Sequence, residues 1–278
     1  MPTLARKDVL PESSVFYSTF ETNNHERFFA SGRRKRLVLD SLEDSREKAE
    51  GKVLHVCQVV LDDRHIMIAA LENEIAPYSN WMQSTHGSLA AAINRQEKRE
   101  GPLGCRRPTT HPAENDECLL RMMFAIDYLP VKAGLVDSPE HYKYSTYGFF
   151  AHGKKQNWTD ELVRPLAYQN LGNSPEERQK AYRELGRKYY REGRLDEYMD
   201  AMLKRRPVGS EKYRRERSKY LSEVTRRERL KRAAGWAMIE SVGFAFQGTA
   251  LRGHKMLEAF DVLVREIVAP GPDPPRPI

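Results

Sequence analysis

The chain has 278 residues, 40% of them hydrophobic, and a net charge of +7. That is apolar material enough for one main domain with an appended region. No stretch reaches the roughly 18 uncharged apolar residues of a membrane span, and the opening MPTLARKDVLPESS lacks the apolar centre of a secretory signal.

Cys57, Cys105 and Cys118 are an odd, widely spaced set without a CxxC pair. They point to reduced thiols in a cytoplasm rather than a disulfide framework or a zinc ribbon. The charge is unevenly placed. Between Lys204 and Arg232 stand 13 Lys or Arg against 4 Glu, a surplus of nine in 29 residues, so the remainder is slightly acidic. A polyanion partner rewards such clustering through counterion release. A solvated helix laced with i,i+4 pairs has the same composition, and charge alone leaves both open.

Taken in order, residues 1–12 read as a disordered lead and Ser14–Phe20 (SVFYSTF) as a strand, being aromatic and β-branched. GRRKR at 32–36 reads as a basic loop before an exposed helix, LVLDSLEDSREKAE. Lys52–Leu61 is an apolar strand, Asp62-Asp63 a tight turn, and His65–Leu71 its hairpin partner. Period-two geometry puts His65, Met67 and Ala69 on one face, with Ile66 and Ile68 on the other. Pro77–Arg99 reads as a helix ended by EGPLG, and the stretch containing Pro108 and Pro112 as a loop. Ala113–Tyr128 is a second helix with an acidic first turn, stopped ahead of Pro130. Strand, helix, hairpin and helix predict an α+β fold with a ferredoxin-like split βαβ antiparallel sheet over 13–155. A charged helical C-terminal extension follows over 156–268. Within it Ser174 and Pro175 open a helix at 173–190, with further helices at 194–205, 210–233 and 253–268. The tail 269–278 is too proline-rich to pack.

The run PVKAGLVDSPEHYKYSTYGFF, residues 130–150, has a distinctive order: Pro130 to Val136, then Asp137, Pro139, Tyr142 and Ser145-Thr146-Tyr147. It resembles the signature Asn-Pro-Val-Arg-Ala-Gly-Leu-Val, acidic stretch, Tyr and Ser-Ser-Tyr-like triplet of REP-associated tyrosine transposases, the single-tyrosine branch of the HUH endonucleases. LAYQNLGNSPEERQKAYREL (166–185), GSEKYRRE (209–216) and Met82–Gly101 resemble other parts of the same family. Together they span roughly residues 52–220.

The resemblance implies DNA strand cleavage by two strand-borne histidines, a divalent metal and a helix-borne tyrosine that forms a 5′-phosphotyrosine link. Mapped onto the family's Met-Pro-Asn-His-hydrophobic-His segment, LDDRHIMI keeps the first ligand as His65 and replaces the second with Met67, a soft thioether unsuited to Mg²⁺ or Mn²⁺. The tyrosine position, five residues before the signature proline, is Ala125, and the asparagine position is Leu129. The three losses belong to one place in the folded family, so the resemblance implies a DNA-binding protein that holds single-stranded or hairpin DNA, has lost strand cleavage and needs no cofactor. The alternative is an active endonuclease-transposase with Mg²⁺ or Mn²⁺ on His65, a carboxylate such as Asp63, and Tyr128 as a displaced nucleophile. A remnant whose basic helices bind RNA or a protein is a third reading. Candidate phosphate contacts are Arg33, Arg34, Lys35, Arg36, Arg106, Arg107 and Lys132 on the domain, and Arg205, Arg206, Lys212, Arg214 and Arg215 in the extension. A monomer or a homodimer is expected.

Overall fold

A computed structural model describes Leu10 and residues 15–71, 74–104 and 107–246, with side chains up to residue 232. The lead apart from Leu10, the helix expected at 253–268 and the tail lie outside the described residues, as do Cys105 and Arg106. Leu10 is buried. The chain forms two compact units. One runs from Leu10 to Ser210, and so takes in helices that the sequence reading assigned to the extension; the other contains the long helix from Glu211 onward.

Strand β1 (Val15–Glu21) is the expected aromatic, β-branched strand. Helix α1 (Gly32–Asp44) begins at the basic run, so GRRKR is helix and not loop. The Ser31 hydroxyl accepts from the Arg34 N–H, and Arg and Lys are good helix formers that need no loop to hold them. Strands β2 (Val53–Val60) and β3 (Arg64–Leu71) form the expected hairpin, closed by the Leu61 N–H on the Arg64 carbonyl at 2.8 Å. Helix α2 (Ala76–Glu97) returns to strand β4 (Thr109–Pro112), which lies where a loop is predicted. β4 is an edge strand paired only with β1, a position that tolerates flanking prolines.

Helix α3 (Asp116–Lys132) is capped by the Asn115 side chain and runs through Pro130 rather than stopping before it. Pro130 stands in the last turn, where its missing N–H costs only one helical bond. The Ala133 N–H to Leu129 and the Leu135 N–H to Pro130, both 2.9 Å, close the end. Helices α4 (Tyr147–His152), α5 (Leu166–Gln169), α6 (Pro175–Arg191) and α7 (Asp196–Leu203) follow. Helix α8 (Glu211–Phe246) extends well past the predicted end at 233.

The sheet order is β2-β3-β1-β4 with every neighbour antiparallel. With the element order β-α-β-β-α-β this is the split βαβ arrangement of an α+β fold, as expected. The outer edge of β2 is not open. Its backbone bonds to Tyr144 and Thr146 on one stretch and to Val163 on another, at 2.8–3.0 Å.

Ser174 caps α6 as its sequence suggests, in a reciprocal box with Glu177. Ser174→Ala should lower unfolding free energy by about 1 kcal/mol in denaturant titration. An unchanged midpoint would show that this cap does not support the unit.

Candidate functional site

Pairing register decides which side chains share a face. Phe16 lies opposite Ala69, Ser18 opposite Met67 and Phe20 opposite His65; Gln58 and Val60 on β2 pair with Met67 and His65. These residues therefore form one face of the sheet. Helix α2 covers that face: Phe16 meets Tyr78 edge-on at 4.8 Å, Phe20 stacks on His86 at 4.0 Å, and His55 meets Trp81 at 5.7 Å. Trp81 in turn donates to the Leu42 carbonyl of α1.

The opposite face carries Tyr17, Thr19, Glu21, Cys57, Val59, Arg64, Ile66 and Ile68. Helix α3 packs against β2 and β3 on this side. The Thr146 hydroxyl marks the contact, lying 3.0 Å from Cys57 Sγ and 3.3 Å from Asp127 Oδ1 of α3.

His65 and Met67 therefore lie on one side of the sheet and Ala125 and Leu129 on the other, which corrects the expectation that the three altered positions meet. His65 is buried beneath α2, its Nε2 2.9 Å from the Gln58 amide oxygen, and burial pushes its pKa down to about 3. The ring is neutral and already partnered, with a thioether two residues on. That donor set does not fit a hard divalent cation. Had the strand been aligned by the face that meets α3, Arg64 and Ile66 would take the two ligand places, and neither binds metal.

Position 125 is a fully buried alanine. One residue before Tyr128, Asp127 enters the core: Tyr182 of α6 donates to its Oδ2 at 2.8 Å, and Thr146 approaches its other oxygen. Burial raises the Asp127 pKa to about 7 despite these two bonds, and raises the neighbouring Cys57 thiol as well. The space between α3 and the sheet is thus filled by an acid, two hydroxyls and a thiol. Tyr128 points elsewhere. It stacks on Tyr190 of α6 at 4.6 Å and meets Tyr147 edge-on at 6.3 Å, and burial pushes its phenol up to about 12, the wrong direction for a nucleophile.

Near the hairpin turn, Glu21, His25 and Asp63 form a grouping with metal-ligand spacing among the described residues. A guanidinium holds it. Arg64 Nη2 lies 2.6 Å from Asp63, 3.3 Å from Glu21 and 3.4 Å from His25, and Arg205 reaches Glu21 at 2.7 Å. Two carboxylates face two guanidiniums, so no charge is left over for a cation. The same face carries the segment Met202–Arg206, whose carbonyls accept from Thr19, Arg64 and Tyr17 and lie 3.0 Å from the His111 ring.

The candidate phosphate contacts divide. Lys35 is buried, bonding Asp62 at 2.6 Å and the carbonyls of Phe29 and Ala30, so it is a structural cation and not a surface one. Arg205 is likewise spent on Glu21, Arg34 on Glu97 and the Phe28 carbonyl, and Lys132 on Asp196 and Asp200 of α7. Arg33, Arg36, Arg107, Arg206, Lys212 and Arg215 are exposed, and Arg214 is half-buried. Arg215 pairs with Glu211 one turn back. The residues that sequence reasoning missed are Asp127 and Arg64, and Lys219, Arg226 and Arg229 of α8. The last three repeat at helical spacing within the basic run; Asp127 gives no signal inside the apolar string MMFAIDYL. Among the described residues, no helix is long and apolar enough to cross a membrane.

No family model matches this sequence, and no curated protein matches it. Among solved structures it is similar to one described as a REP-associated tyrosine transposase bound to a REP hairpin, with 15% identity and a TM-score of 0.46 over 60% of this chain and 96% of that one.

Two predictions follow from these placements. Lys35→Met should destabilise the protein by about 3 kcal/mol, because it leaves Asp62 and two carbonyls without their buried cation. Arg33→Gln with Arg36→Gln should stay within about 0.5 kcal/mol; equal effects in thermal unfolding would overturn the distinction. For Asp127 the folded pKa is raised, so the protonated acid supports folding below about pH 4, and that support is lost as pH rises to about 7. A shift from 3.8 to about 7 corresponds to roughly 4 kcal/mol. Asp127→Asn should flatten the stability profile between those pH values, and a profile that keeps the wild-type slope would exclude Asp127 as its source.

Proposed function

We propose that this protein is a transposase-like DNA-binding protein that holds single-stranded or hairpin DNA and does not cleave it. The observation that carries the loss of cleavage is the division of the sheet. The hairpin histidine and its methionine lie under α2, while the helix that would bear the nucleophile lies on the other face. Attack on a phosphodiester needs metal, phosphate and nucleophile within a few ångströms of one another. With the sheet between them, the arrangement supports the reading that cleavage is lost. An endonuclease acting through Tyr128 has no geometric support, since that phenol packs between Tyr190 and Tyr147.

Support for DNA as the partner comes from the resemblance of residues 130–150 and from the exposed cations of α8. Phosphate contacts of this kind bind the backbone and its shape rather than a base sequence.

The test uses the full chain and a fluorescein-labelled DNA hairpin with single-stranded flanks, in the presence of Mn²⁺. The expected result is a gel shift that weakens steeply with salt and leaves no covalent adduct on a denaturing gel. An adduct that disappears in Tyr128→Phe would overturn the loss of cleavage. Failure to shift the hairpin at low salt would overturn DNA binding itself.

A further inference from the structure

Helix α8 has an ordered charge pattern that the overall count conceals. Lys212, Arg215, Lys219, Arg226 and Arg229 are all exposed. Their spacings are three, four, seven and three residues, an average step near 3.5, which keeps them on one face of a helix. Ser222, also exposed, fills the place between Lys219 and Arg226. The opposite side holds the buried Tyr213 and Arg217, with the Arg217 guanidinium over the Tyr220 ring at 4.9 Å.

A solvated helix would use such positions for opposite charges, because residues three and four apart are neighbours and like charges there destabilise the helix. Here Lys212 stands three residues from Arg215, Arg215 four from Lys219, and Arg226 three from Arg229. Lys212, Lys219 and Arg229 have no carboxylate partner among the described residues. Intrahelical pairs do occur, between Arg215 and Glu211 and between Lys231 and Glu228, while Glu216 and Glu223, one turn after Lys212 and Lys219, close no ion pair with them.

We infer that this stripe is a binding track for one phosphodiester strand. It spans 17 residues from Lys212 to Arg229, about 26 Å at the rise of an α-helix. It is also narrow, covering about 100° of the helix circumference. A helix seated in a duplex groove meets the phosphates of two strands and needs cations on both flanks. One flank of this stripe carries Glu216 and Glu223, and the other the uncharged Ser218 and Thr225. A single line of cations fits one line of phosphates, and the two glutamates keep a second strand from their flank. The inference rests on the DNA-binding reading above and assigns the single-stranded part of that partner to α8.

The test compares the full chain with a Lys212→Gln/Lys219→Gln/Arg229→Gln variant. The probes are a fluorescein-labelled oligothymidylate of about 20 nucleotides, a blunt duplex of the same length and phosphatidylserine vesicles. Single-strand binding should weaken by roughly tenfold or more in the variant, and its log–log salt slope should flatten by about 2, near 0.7 for each lost contact. Circular dichroism should show the helix intact, and Lys48→Gln/Lys52→Gln, at exposed positions outside every candidate phosphate contact, should leave the slope unchanged. A parent that binds DNA with the same slope in the triple variant would overturn the α8 track while leaving DNA binding in place. Tighter binding to the duplex, or to vesicles, than to the oligothymidylate would overturn the single-strand assignment. A parent that binds no DNA removes both readings.

Discussion

A pleated strand offers each side chain to one face only, and in this sheet both faces are covered. Helix α2 lies over Phe16, Phe20 and His65, with α1 behind it; α3 lies over Cys57 and its neighbours. Everything about the candidate cleavage site depends on that parity. A histidine moved by one position along β3 would face α3; at position 65 it faces α2 and is sealed there with Gln58. The same residue type in the same strand thus changes from a possible metal ligand to a core polar group, with no change in composition.

The α3 side is closed by chemistry that has its own demands. A buried carboxylic acid is tolerated only when it is neutral or well bonded. Asp127 is held by Tyr182 and Thr146 and pushed toward the protonated form, so it joins α3, α6 and the turn after Tyr144 without needing a cation. At the turn end of the hairpin, Arg64 and Arg205 perform the corresponding task for Glu21 and Asp63. A proton answers the charge in the first place and two guanidiniums in the second.

What was legible in the sequence was local. The aromatic run of β1, the Asp62-Asp63 turn, the Ser174 cap and the order of strands and helices all follow from short-range patterns, and the α+β sheet follows from them. What was not legible depended on tertiary partners. Pro112 hides β4 because an edge position, unknown from one strand, excuses a proline. Pro130 fails to stop α3 because only one helical bond is lost so near the end. GRRKR is helix because the Ser31 cap, just outside the run, starts it. The face of His65 is the most instructive miss. Alternation along β3 correctly separates residues 65, 67 and 69 from 66 and 68, but which set meets α3 is settled by the packing of helices distant in sequence.

The cations reveal how the two units divide their work. In the unit ending at Ser210, Arg34, Lys35, Arg64, Lys132 and Arg205 are committed to carboxylates, so their charge is internal to the fold. Removing any of them takes a partner from a carboxylate of the same unit. On α8, by contrast, the exposed cations align with like neighbours, and among the described residues Lys212, Lys219 and Arg229 close no ion pair. Charge that does nothing for the element bearing it is charge directed outward. A sheet domain closed on both faces and a helix with a basic edge are what the proposal of a protein that holds a strand rather than cutting it rests on.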